Sequence, residues 1–151
     1  MTLARMGVIA AATLAVATGA VAQTPDFSGA WKLDPASAPA ADGSALGKGP
    51  ATVKQTAAAL TIERTVGGAK VTLVYKLDGS DSRNMMMSRV GDPVDSLSTA
   101  KWAGPKLTIV TKQEEAGGQV AEFTEAWTVE GSTLTVETTD ARGTQRRVYK
   151  K

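Results

Sequence analysis

From Gly29 to the carboxyl end, apolar and polar residues alternate in short runs broken by glycine-containing turns. In KVTLVYKLD, Val71, Leu73, Tyr75 and Leu77 fall on one side, and Thr72, Val74 and Lys76 on the other. In VAEFTEAWTVE, Phe123, Glu125, Trp127 and Val129 share a side against Thr124, Ala126 and Thr128. In TLTVETTD, Leu134 and Val136 oppose Thr133, Thr135 and Glu137. A period of two marks a strand with one face on a core and the other in water. After Gln23 no stretch keeps the period of an amphipathic helix.

The same reading gives strands at GAWKLD, TVKQT, LTIERTV, NMMMSRV, SLSTAKWA, KLTIVTKQ and TQRRVYKK. Between the runs stand GGA from Gly67, DGS from Asp78, AGP from Ala103, AGG from Ala116, EGS from Glu130 and ARGT from Ala141. These suit tight hairpin loops. The pattern predicts an all-β fold, an antiparallel up-and-down β-barrel of about eight to ten strands, with a β-sandwich as the alternative. The outward positions are Thr, Lys and Glu, which excludes the apolar lipid-facing band of an outer-membrane barrel. One segment breaks the alternation. Pro35 to Ala51 is a Pro/Ala/Gly/Ser loop between the first two strands, and long loops inside compact domains tend to be functional or mobile.

Composition narrows the chemistry. The first 22 residues carry one charge, Arg5, then an apolar run ending Ala20-Val21-Ala22. That is a signal-peptide pattern with cleavage after Ala22, so one domain is expected over 23–151, in the periplasm or outside the cell. With Arg5 gone, the basic residues exceed the 15 acidic ones by one. So small an excess offers no field for nucleic acid, and no membrane insertion of the mature chain is expected. The chain has no cysteine and no histidine. That removes thiolate nucleophiles, imidazole bases and nearly all zinc and haem ligation, and no cofactor or metal is expected. Met85 and Met87, which share a strand face, are a poor copper site without a third soft ligand and a better cavity lining. Asp78, Asp81 and Asp92 read as turn residues, since their spacing fits no calcium loop. No nucleophile-and-base arrangement or phosphate loop is present, so the chain reads as no enzyme.

The two ends carry a resemblance. FSGAWKL, Phe27 to Leu33, resembles the opening strand of fatty-acid-binding proteins and the Gly-x-Trp of lipocalins, and RVYKK, Arg147 to Lys151, resembles the closing Arg-x-Tyr strand of the former. The chain is also similar to secreted bacterial lipocalin-like proteins that open with DFSGxW. The resemblance implies a calycin barrel in which Arg147 and Tyr149 hold a ligand carboxylate. Three departures stand against it: Pro35 to Ala51 is too short for the helix-turn-helix of fatty-acid-binding proteins, Glu125 and Ala126 stand where they carry a second arginine, and the lipocalin Thr-Asp-Tyr motif is missing. Two bonds within the chain compete for Arg147, a salt bridge to Glu125 and a stack on Trp31.

The expectation is a non-enzymatic exported protein that binds a small apolar or amphiphilic, fatty-acid-like ligand. Tyr75, Met85, Met87, Trp102, Phe123, Arg147 and Tyr149 would touch it. Trp31 would plug the barrel base, and Gly29 would admit a close neighbour. The alternative is a protein-interaction or envelope-structural domain with a filled interior; the oligomeric state is left open.

Overall fold

Ten strands take up the alternating runs: β1 (Gly29–Leu33), β2 (Ala51–Gln55), β3 (Ala59–Val66), β4 (Ala69–Lys76), β5 (Ser82–Met87), β6 (Pro93–Ala103), β7 (Lys106–Glu115), β8 (Gln119–Glu130), β9 (Thr133–Asp140) and β10 (Gly143–Lys150). The structure is a computed structural model, and it describes residues 23–40, 44–88, 91–115 and 117–151. The signal segment expected over Met1–Ala22 lies outside the described residues. All pairings are antiparallel, and one sheet runs in the order β4-β3-β2-β1-β10-β9-β8-β7-β6-β5. Its two edges, β4 and β5, meet. The result is a nearly closed barrel rather than a sandwich, and the described residues hold no helix.

Where β4 and β5 meet, side chains replace the ladder. The Asn84 carboxamide accepts from Val74 N–H at 2.8 Å and donates to Val74 C=O at 3.0 Å, as a neighbouring strand would. Ser82 Oγ accepts from Lys76 N–H at 2.8 Å. These bonds satisfy edge groups that would otherwise be open to another chain.

Register sorts the interior into ranks. Trp102, Leu107, Trp127, Val136 and Arg147 are successive cross-strand partners on β6 to β10. The next rank toward one barrel end is Ala100, Ile109, Glu125, Thr138 and Gln145, and the one after includes Ser98, Thr111 and Phe123. Ser96, Gln113 and Ala121 follow. The inward side chains thus pass from apolar to polar along β6, β7 and β9, while β8 adds the single acid Glu125 between Trp127 and Phe123.

The apolar end is closed by the segment before β1. Phe27 stacks on Trp102 at 5.7 Å between ring centroids and meets Trp127 edge-on at 5.6 Å. Gln55 pins the segment, accepting from Phe27 N–H at 2.9 Å and donating to Pro25 C=O at 2.8 Å. Trp31 is fully buried and donates its ring N–H to Phe27 C=O at 2.8 Å. Lys151 lies over the Trp31 ring at 4.8 Å and packs against Gly29, whose φ of 147° and lack of a β-carbon admit it. The expected stack on Trp31 is therefore made by Lys151, not by Arg147.

Candidate functional site

At the other end, β1 and β2 are short. β1 stops at Leu33, opposite Tyr149, and β2 starts at Ala51, opposite Trp31. The chain between them turns inward. Asp34 N–H bonds Val148 C=O at 2.8 Å, and Ser37 Oγ accepts from Val148 N–H at 2.8 Å, so the loop first runs beside β10. Ala40 and Ser44 to Gly47 are then buried inside the barrel. Leu46 joins the core with Leu60, Ile62 and Leu73. Gly47 has φ 68°, and a β-carbon there would run into the Arg64 guanidinium. The loop occupies the middle of the lumen.

Three inward polar groups receive it. The Tyr149 hydroxyl donates to Gly47 C=O at 3.1 Å. Arg147, 4% exposed, donates from Nε to Pro39 C=O at 2.8 Å, from Nη1 to Thr138 Oγ1 at 3.0 Å and from Nη2 to Gln145 Oε1 at 2.5 Å. Glu125, 1% exposed, accepts from Ala45 N–H with both carboxylate oxygens at 3.3 Å. No direct ion pair joins Glu125 and Arg147; the loop and Thr138 take up their bonds instead. Burial pushes the Glu125 carboxyl up to about 7, against the opposing pull of the Ala45 N–H, Arg147 and Arg64. Burial likewise raises Tyr75 and Tyr149 well above the ordinary phenol value, so both stay neutral donors.

Between the loop and the open ends of β7 to β10 lies a pocket of about 450 Å³. Arg147, Gln113 and Ser44 lie on its inner side, Phe123, Ala121, Pro39 and Ala40 provide apolar surface, and Thr138 and Gln145 flank the guanidinium. Its rim includes Glu115, Asp140, Arg142, Gly143 and Thr144. Asp140 is held by Arg142 through a 3.0 Å ion pair. The volume is within the usual range for small-molecule sites, and the mix of apolar wall and a few convergent polar groups is the usual composition.

Of the residues expected to touch a ligand, Arg147 and Phe123 line this pocket. Tyr149 and Tyr75 face inward but are buried in the core, Tyr149 against Gly47. Met85 needs correcting: it points outward and is 63% exposed, while Met86 is buried. The reason is the seam, since Asn84 must face in to bond Val74, and that parity turns its neighbour out. Met87, half-buried at the strand end, does not line the pocket. Trp102 also needs correcting, because its stack on Phe27 places it at the closed end and not at the mouth. Sequence reasoning missed Gln113, Thr138 and the loop residues Pro39, Ala40 and Ser44. An inward polar residue at each mouth-side strand end was the available signal for the first two; nothing local marks the loop's turn into the lumen.

No family model matches the chain, and no curated protein matches it. Solved structures do. Human cRBP IV, a cellular retinol-binding protein, superposes with a TM-score of 0.56 at 18% identity, covering 84% of this chain and 98% of that one. Secretory abundant heat soluble protein 4 from Ramazzottius varieornatus gives a TM-score of 0.57 at 20% identity, covering 85% of this chain and 97% of that one. Both are calycin-type barrels, and the likeness shows that this chain shares their fold.

Proposed function

We propose that this protein is a non-catalytic, exported binding protein that holds a small apolar or amphiphilic molecule in the mouth pocket, with its polar head on Arg147. One observation carries the reading: a buried guanidinium lies on the inner side of a pocket of about 450 Å³ whose walls include Phe123 and Ala121. Arg147 spends three of its five N–H groups on Pro39, Thr138 and Gln145, which leaves two for a bound head group. A carboxylate there would form charge-assisted bonds, the strongest kind such a group can make. One structural neighbour is a retinol-binding protein, which supports an apolar small molecule as cargo. The Ala20-Val21-Ala22 pattern supports export.

The interior filled by Leu46, and the exposed Val74 and Met85 on the two strands of the seam, favour the second reading, a domain that binds a protein partner. Native mass spectrometry separates the two. The mature protein, purified gently from an exporting cell, is expected to carry an adduct released by organic extraction. Ala121→Trp, which fills the pocket, should abolish the adduct, and Arg147→Gln should weaken it. A clean apo mass that also stays unchanged after incubation with octanoate and with octyl alcohol overturns the ligand reading in favour of the second.

A further inference from the structure

The buried acid beneath the pocket has no part in holding a ligand, yet it is wired to the site. Glu125 stands opposite Thr138 in the β8–β9 register, and Thr138 Oγ1 accepts from Arg147 Nη1 at 3.0 Å. The carboxylate also fixes Ala45 by its N–H, and the preceding residue, Ser44, lines the pocket. The pocket's cation therefore acts on this carboxyl group through space, and the loop that forms one of the pocket's walls is bonded to it directly.

Among the described residues, the charged and titratable groups around Glu125 are few. Arg147 and Tyr149 face it from β10, Arg64 from β3 and Tyr75 from β4. Its partners in register on β7 and β9, Ile109 and Thr138, carry no charge, and among the described residues the loop contributes the Ala45 N–H. With both tyrosines neutral, Arg64 and Arg147 are the only charges among these groups. An anion arriving at Arg147 would draw on the same guanidinium as Glu125, and would set a second negative charge near it in a poorly screened interior.

We infer that Glu125 is the proton site of the mouth pocket: an acidic amphiphile bound at Arg147 enters together with one proton taken up by the Glu125 carboxylate, and leaves with it. This rests on the pocket being the ligand site, and it adds the class of cargo and the condition for its release. The ligand's carboxylate stays ionised on the guanidinium, and the proton comes from solvent to a Glu125 oxygen. By linkage, the anion raises the affinity of Glu125 for its proton, and the proton raises the affinity for the anion by the same factor. The acid already titrates near neutrality, so the coupling acts at ordinary pH. The carrier would load at the acidic end of that range and unload at the basic end.

Calorimetry with octanoate, and with octyl alcohol as its uncharged analogue, tests this on the mature protein and on Glu125→Gln. Octanoate is expected to bind the unmutated protein roughly tenfold more weakly at about pH 8.5 than at about pH 6, with proton uptake visible as a buffer-dependent heat. Octyl alcohol should show no such slope, and Glu125→Gln should bind octanoate with a nearly flat profile. An octanoate slope that persists unchanged in Glu125→Gln overturns the proton site while leaving the pocket reading intact. Binding of octyl alcohol without octanoate overturns the acidic class. No binding of either overturns both readings. Should Glu125→Gln fail to fold, carboxyl carbon NMR of the unmutated protein reads the same coupling. Saturating octanoate moves the Glu125 midpoint upward if the inference holds, and an unmoved midpoint overturns it.

Discussion

The two ends of this barrel are built from the same strands and solve different problems. At the closed end Phe27 stacks on Trp102 and meets Trp127 edge-on, Trp31 bonds the Phe27 carbonyl, and Leu107, Leu134 and Val136 join the same core. At the mouth the strands β6 to β9 present Ser98, Thr111, Gln113, Glu125 and Thr138 inward. The loop residues Ala40 and Ser44 to Gly47 take up part of the space these leave. Apolar burial stabilises the first end directly. The second keeps more groups whose burial costs free energy unless each is bonded; among the described residues the Gln113 carbonyl oxygen has no partner there, as the Trp127 ring N–H has none at the closed end. The contrast teaches that the closed end carries the fold and the mouth carries the chemistry, since poorly rewarded polar burial is what a binding site needs and a core does not.

The largest test of that division compares deletions at the two ends. Trp31→Ala removes a fully buried ring and should cost about 3–5 kcal/mol, read by urea unfolding. At the mouth, Ser98 and Thr111 share a buried hydroxyl pair at 2.9 Å. Replacing both, by Ser98→Ala with Thr111→Val, removes the bond and its desolvation together and should cost less than about 1 kcal/mol. Equal losses at the two ends would break the division.

A second test uses protons. An acid whose folded pKa is raised from 4.5 to about 7 holds its proton in the folded state after the unfolded chain has released it. The folded state then binds more protons, so stability falls as pH rises. Glu125's contribution is fully present below the unfolded value, is lost between about pH 4.5 and 7, and stays lost above. The loss is on the order of 3 kcal/mol, since a tenfold change in proton affinity corresponds to about 1.4 kcal/mol. Glu125→Gln keeps an oxygen for Ala45 N–H and should remove that slope, leaving the variant more stable than the parent at pH about 8. No comparable slope should follow from any group of the closed end, where the inward side chains do not titrate in this range.

Much of the division was written in the sequence. The period of two gave the inward faces of β4, β8 and β9, and Trp102-Ala100-Ser98, Leu107-Ile109-Thr111 and Trp127-Glu125 show the polarity rising along three strands. Ten strands lie within the eight to ten expected, and closure into a barrel was the first of two expectations, with a β-sandwich beside it. What stayed hidden depends on contacts far apart in the chain. Whether Arg147 meets Glu125 is decided by where Pro39 and Ala45 come to rest, and a Pro/Ala/Gly/Ser loop has no period from which to read that. Met85 was misplaced for a related reason: three successive methionines look alike on either face, and the parity is set by Asn84 reaching Val74 on a strand with which β5 forms no ladder.

That reach supplies the smallest and sharpest test. Asn84 and Ser82 belong to the polar inward series of the mouth side, opposite Ser96 and Ser98, yet they feed no pocket. Their bonds stand in for the missing β4–β5 ladder, so here polar residues carry fold after all. Asn84→Ala frees both main-chain groups of Val74, which sits at the surface at 42% exposure, where water can replace part of what is lost. The cost should be about 1–2 kcal/mol, smaller than if the two groups left without a partner were buried. Hydrogen exchange locates it: the Val74 amide should exchange at least about tenfold faster in Asn84→Ala, while Lys76, held separately by Ser82, changes little. If Lys76 opens as far as Val74, the seam is one cooperative unit rather than a set of single bonds. If neither amide changes, the seam contributes nothing, and the polar ranks have no use but the pocket.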